Sequence, residues 1–452
     1  MATITSAQTG NFSATTTWVG GVVPGSADIA VAATTHQVTI DTNVTVLEFQ
    51  QAGSGEFIVN STRTISGIVR GNAGLHASSQ GTIDLQSGAN LTLTGNVIGS
   101  QTTNSTAAIF IGAANTTLTI NGNLTGGNST ERNCIYAPLT STGTTLTING
   151  TTTGGTGSAA YGILWLGSGT VNLNGDVTGG TTTSTHAVVL GASAGATTWN
   201  ITGAVGASVN LSSGSGISMG SVTSLQTINI TGNVIARAAN AISVINAIAN
   251  VTVTGNVTGG TSGVSVIGIN IGSPNAVVTV TGDVTGGPTN NGTGINLSGA
   301  SSTCNIVGNV TAGASAGHGV LSSASANGVI LQGSMTDAAN GTVAVSTRLF
   351  RLTATTTGLT RHANSVGFPN GTLVSRVSPA LATGVPAVTD VRSGTIYGYS
   401  NELTGTCAVP AAGSVALGVP VGSTTGTASL APSDIAALVG AQVAAAIDAL
   451  PA

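Results

Sequence analysis

The stretch Val251 to Gly260, VTVTGNVTGG, constrains this chain more than any other, because close relatives of it recur ten times. Aligned on the first glycine, the copies fall at Gly95, Gly122, Gly150, Gly175, Gly203, Gly232, Gly255, Gly282, Gly308 and Gly333. Neighbouring copies lie 23 to 29 residues apart, about 26 on average. A fixed period in the twenties, built from short strands and glycine turns, predicts a solenoid in which each repeat is one coil stacked on the next. Leucine-rich repeats share the period, but their leucine and asparagine spacing and their helices are missing here.

Four and two residues before each glycine the side chain is apolar in every copy, as in Leu91/Leu93, Trp199/Ile201, Val251/Val253 and Cys304/Ile306. The residues between are mostly Thr or Asn. The period is therefore two, which describes a strand with one face in the core. Two residues after the glycine another apolar position follows, from Val97 to Met335, broken only by Thr152. The core thus continues past a corner, where glycine permits the backbone to bend. A second apolar strand then comes in each coil, such as AIFIG around Ile109 and GINIG around Ile269. The prediction is an all-β chain: a single-stranded parallel β-helix with coils of about 26 residues, followed by a small β-rich module and a short C-terminal helix. At about 4.8 Å per coil, the ten regular coils give a rod about 48 Å long.

Composition agrees with a folded chain. Only 5% of the 452 residues are charged, lysine is absent, and 40% are hydrophobic, which separates the chain from low-charge disordered sequences. A net charge of −4 gives no reason to expect nucleic acid as a partner. The opening MATITSAQTG has neither the basic region nor the apolar core of a signal peptide. No apolar run is long enough to span a membrane, so no membrane insertion is expected. Cys134, Cys304 and Cys407 are odd in number and widely spaced, so no disulfide framework is expected.

Residues 1–90 read as an N-terminal cap with the first, irregular coils, 91–345 as the regular β-helix, 346–430 as the β-rich module and 431–452 as the helix. The run Gly10 to Asp41 contains Trp18-x-Gly-Gly-x-x-Pro24, Asp28 and a Val-Thr-Ile-Asp41 ending. It resembles the opening of β-helices in bacterial surface adhesins and phage appendage proteins, which implies a capped first coil and no chemistry. The segment Val385 to Leu430, with Asp390-Val391-Arg392, Gly394-Thr395-x-Tyr397-Gly398, Leu403-Thr404-Gly405-Thr406 and Gly418-Val419-Pro420, resembles a short module of phage tail and other structural proteins. In Ser433 to Leu450, Ser433 suits an N-cap and Ile435, Leu438/Val439, Val443, Ile447 and Leu450 form a stripe at helical spacing.

β-Helices include polysaccharide lyases and hydrolases, and a glycosidase needs two carboxylates about 5 to 9.5 Å apart. Asp176 and Asp283, the acids at equivalent repeat positions, are four coils or about 19 Å apart. In five other coils the position is Asn (Asn96, Asn123, Asn233, Asn256, Asn309), so the expected role is that of a corner residue. Glu131 and Arg132 read as a solvated turn pair. His36, His76, His186, His318 and His362 have no spacing suited to a metal or a catalytic triad. No catalytic, cofactor-binding or metal-binding residue is therefore expected, and no cofactor.

On the second strand, inward Ile109/Ile111, Ile135/Ala137 and Leu164/Leu166 place Phe110, Tyr136 and Trp165 outward, in three successive coils. The stripe then fades through Val189 to Ser218, Ser243, Asn270 and Asn296. A one-residue slip at Gly162-Ile163-Leu164-Trp165 would bury the tryptophan. Rings in a row suit either a subunit contact, the favoured reading, or the faces of sugar rings. Together with the two resemblances, this gives the functional expectation: a non-enzymatic structural protein of a phage virion, a fibre, spike or surface appendage. It would be a homotrimer bound to other virion proteins, at the particle surface, touching a host glycan. The alternatives are a bacterial cell-surface adhesin and a glycan depolymerase with an intersubunit site.

Overall fold

The computed structural model describes residues 1–71 and 81–100, and then the coils up to residue 311 apart from the turn segments 101–106, 129–132, 158–159, 183–184, 192–194, 208–213, 221–223, 246–247, 262–265 and 288–291. Beyond these it describes residues 318–322, 328–332, 335–336, 349–352, 396–397, 403–404, 420–421, 424–425, 437 and 439–443. The chain divides into two units, Met1–Ser378 and Pro379–Ala452.

The first unit is a parallel β-solenoid, as the repeat predicts. Each regular coil contributes a long strand such as Ala249–Thr254, a two-residue strand such as Val257–Thr258 just past the glycine corner, and a third strand such as Ile267–Ile271. Like strands pair in parallel with their counterparts one coil on, so Val251 stands beside Val278 and Ile269 beside Ile295. The third strands form one thirteen-stranded sheet, from Gly10–Asn11 to His318–Ser322. Its twelve steps span about 58 Å. The N-terminal segment is already part of the stack, because Thr3–Thr5 pairs in parallel with Ile29–Ala32. At the other end Leu349–Leu352 pairs with Gly328–Gln332, which carries the ladder past residue 345.

The core follows from the period-two pattern. The coil that starts at Val251 buries Val251, Val253, Val257, Ile269 and Ile271, each side chain contributing about 1.5–3 kcal/mol of transfer free energy. Sterics fix the corner. A Cβ on Gly255 would land on the carbonyl oxygen of Gly232 one coil earlier, and one on Gly232 would land on that of Gly203. Gly255 also has φ of +150°, so glycine is required twice over.

The N-terminal end is closed by an aromatic plug. Phe12 meets Trp18 edge-on at 4.9 Å between ring centroids, and Phe49 meets Phe57 in the same manner at 5.2 Å. All four are buried, and the Trp18 indole N–H donates to the Phe12 carbonyl at 2.8 Å. The acids of the N-terminal pattern pin this cap. Asp28 accepts the backbone amides of Ala2 and Gly25, both at 3.1 Å, and Asp41 accepts the amide of Ser13 at 3.0 Å and its hydroxyl at 2.5 Å. The amides of Gly25 and Ala2 hold the Asp28 carboxyl below its usual range. Burial alone would raise Asp41, but the Ser13 hydroxyl and amide outweigh it.

In the second unit two antiparallel hairpins are described, Ile396–Tyr397 with Leu403–Thr404 and Pro420–Val421 with Thr424–Thr425. One helical turn spans 439–443, with Val439 and Val443 exposed. The expected cap at Ser433 and the rest of the helix lie outside the described residues, as do Gly333, the Glu131–Arg132 pair, Cys407, His76 and His362.

Candidate functional site on the thirteen-stranded sheet

The register of the third strands sets one outward column: Ile58, Asp84, Phe110, Tyr136, Leu164 and Val189, followed by Ser218, Ser243, Asn270 and Asn296. Phe110 and Tyr136 point away from the core between buried neighbours, and each is partly exposed. Their rings lie 5.6 Å apart at 45°.

Trp165 does not belong to this column. The pairing sets Tyr136 beside Leu164 and Ala137 beside Trp165, so the tryptophan is in the core at 0% exposure and Leu164 takes the outward place. The physical reason is volume. In the inward column Trp165 stands next to the small Ala137, and across the core it meets Trp199 edge-on at 6.0 Å. Neither indole N–H has a hydrogen-bond partner, so packing holds the pair.

The column has an acidic end. Asp84 Oδ2 accepts the Gln86 side-chain amide at 2.8 Å, while Oδ1 is buried without a partner. Burial, with Glu56 on the preceding coil adding repulsion, pushes the Asp84 pKa up to about 7. Glu56 is raised by its own burial, and accepts the Gln37 amide at 2.7 Å. Glycine makes room for Phe110, since a Cβ at Gly112 would stand 2.6 Å from its ring and 3.3 Å from Asp84 Oδ1. The turn before the third strand adds a second ring pair, Tyr161 stacked on His186 at 5.8 Å and 22°. Burial lowers the His186 pKa, and its Nδ1 accepts the Ser215 amide at 3.0 Å, so the ring is neutral at pH 7.

Sequence reasoning missed Glu56 and Asp84 as neighbours. Both lie before residue 90, where the repeat is too irregular for alignment to bring them together. Asp176 and Asp283 have corner roles. The Asp176 Oδ1 accepts the backbone amide of Ala204 and the Asp283 Oδ1 that of Asn309, both at 2.8 Å. Asn96, Asn233 and Asn256 do the same for the coils that follow them, at 3.0, 2.9 and 2.9 Å. Among the described residues no group of three His, Cys, Asp or Glu is placed to hold a metal ion, and no helix is long and apolar enough to cross a membrane.

Comparison of the chain with protein-family models, with curated proteins and with solved structures finds no match.

Proposed function

We propose that this protein is a non-enzymatic structural component of a phage particle: a β-helical fibre, spike or surface appendage, assembled as a homotrimer with other virion proteins and touching a host glycan. The observation that carries the reading is the ladder itself. Thirteen strands pair coil to coil in one sheet, and a stack of that kind, growing one coil at a time, suits a spacer. The N-terminal and C-terminal resemblances supply the phage context. The corner acids support a structural role, because their carboxylates are engaged with the next coil.

The test is the mass and shape of the purified chain by light scattering and small-angle scattering. Three chains in a rod are expected, and a monomer would overturn the self-assembled fibre.

Asp84 and Glu56 favour a second reading, a glycan depolymerase. Against it, Glu56 is only 6% exposed and engaged with Gln37, which leaves it poorly placed to meet a sugar and a water together. Release of reducing ends from bacterial polysaccharide, lost in Asp84→Asn, would establish the enzyme.

A further inference from the structure

The aromatic side chains described in the solenoid fall into two sets. Phe12, Trp18, Phe49, Phe57, Trp165 and Trp199 are buried. Phe110, Tyr136 and Tyr161 are partly exposed; Phe110 and Tyr136 are neighbours in the outward column, while Tyr161 and His186 lie in the turns of the next two coils, three residues before Leu164 and Val189 of that column. In a chain with only 3% aromatic residues, that grouping is a site-like feature. From Asp84 to His186 the strip covers four steps, about 19 Å.

We propose that this strip binds an uncharged oligosaccharide laid along the stack axis. Sugar rings would rest on Phe110, Tyr136 and the Tyr161–His186 pair, and sugar hydroxyls would bond to Asp84 and Gln86. The inference rests on the host-contact part of the preceding reading and gives it a location and a ligand class. A pyranose has apolar C–H faces and a polar rim. Aromatic faces are electron-rich and attract such C–H groups. The planar acid and amide at the end of the strip supply both acceptors and donors for neighbouring hydroxyls. Asp84 Oδ1 is buried, so the sugar hydroxyls would meet Oδ2 and the Gln86 amide that donates to it.

Charge narrows the ligand further. Asp84 and Glu56 are buried carboxyls that an added negative charge would push further toward the protonated form, and the described arginines of the neighbouring coils, Arg63 and Arg70, belong to the long strand Thr62–Arg70 of the other sheet. Arg70 is paired there with Glu48 at 2.7 Å. Among the described residues of these coils no free cation faces the column, so an anionic glycan finds no described positive partner there. A protein partner fits less well, because the apolar column gives way to Ser218, Ser243 and Asn270 within a few coils and is small for a protein interface.

The experiment is an array of neutral, uronate-containing and sialylated bacterial and host oligosaccharides, probed with the full chain. Titration calorimetry follows on the hits. Neutral chains of three or more sugars are expected to bind. Tyr136→Ala should weaken them about tenfold, the size of one lost ring contact, and Asp84→Asn should weaken them too. Asn270→Ala, further along the same column, should leave binding unchanged, and circular dichroism confirms that each variant is folded. Absence of binding to neutral oligosaccharides, preference for acidic ones, or an unaffected Tyr136→Ala overturns the inference. So does a Tyr136→Ala chain that loses mass in light scattering, because the strip is then a subunit contact. A monomer that binds sugar would sink the fibre and keep this site, whereas a trimer that binds none would do the reverse.

Discussion

Asp283 and Asn309 are joined across two coils: the Asp283 Oδ1 accepts the Asn309 backbone amide at 2.8 Å, while the Asp283 amide donates to Asn256 Oδ1 at 2.9 Å. A carboxylate and a carboxamide therefore do the same work at this corner. Asp283→Asn should leave the denaturation midpoint close to that of the parent, since an acceptor oxygen remains. Asp283→Ala removes the carboxylate that accepts the Asn309 amide and should cost about 1 kcal/mol. Chemical denaturation of the pair checks this, and equal losses in both variants would refute the corner role.

Gly255→Ala tests the glycine ladder. Its Cβ would collide with the Gly232 carbonyl, and its φ of +150° disfavours any side chain. A loss of about 1–3 kcal/mol is expected from the strained backbone alone, with the clash added. The thermal midpoint should fall clearly below that of Gly88→Ala, where φ is also positive, at +73°, but nothing lies within 4 Å of the added Cβ, so the difference reports the clash.

Trp165 distinguishes packing from polar contact. Trp165→Ala should cost about 3–5 kcal/mol through the cavity it leaves. Trp165→Phe should cost much less, because it keeps a ring against Trp199 and removes an indole N–H that has no partner. Comparable losses in the two variants, measured by urea denaturation, would contradict the packing account.

Asp84 predicts a pH dependence whose sign can be worked out. Its carboxyl titrates at about 7 in the fold against 3.8 in the unfolded chain. Between those values the native state holds the extra proton, so stability falls as pH rises from about 4 to about 7. His186 acts oppositely, because its lowered pKa makes stability rise with pH up to its unfolded value of 6.5. The difference between parent and Asp84→Asn isolates the aspartate. Asp84→Asn should gain relative stability from about pH 4 to about pH 7 in denaturation midpoints and level off above that, and a constant difference across the range would count against the buried carboxyl.

The sequence announced the coil because its constraints are periodic. The glycine must sit where the neighbouring glycine carbonyl approaches, and the core strand alternates for five or six residues, long enough to fix which side is inward. The third strand is shorter. Ile163–Trp165 has three residues after a glycine, so alternation alone cannot set its phase, and only the space beside Ala137 decides that Trp165 turns in. Asp84 and Glu56 were hidden for a different reason. Their proximity depends on the register between Glu56–Val59 and Gly81–Leu85, in coils that lack the repeat. The Tyr161–His186 stack arises in a turn, where spacing varies from coil to coil.

The corner chemistry also makes the molecule a counted object. Because Asn256 and Asp283 are interchangeable acceptors in the same ladder, excising residues 256–282 would join Gly255 to Asp283 and restore the same contact with Asn233. The rod would be shorter by one step, about 4.8 Å, with its ends and its core chemistry intact. Reach is thus set by whole units gained or lost in the gene, so a lineage could retune the distance between the two ends without redesigning either.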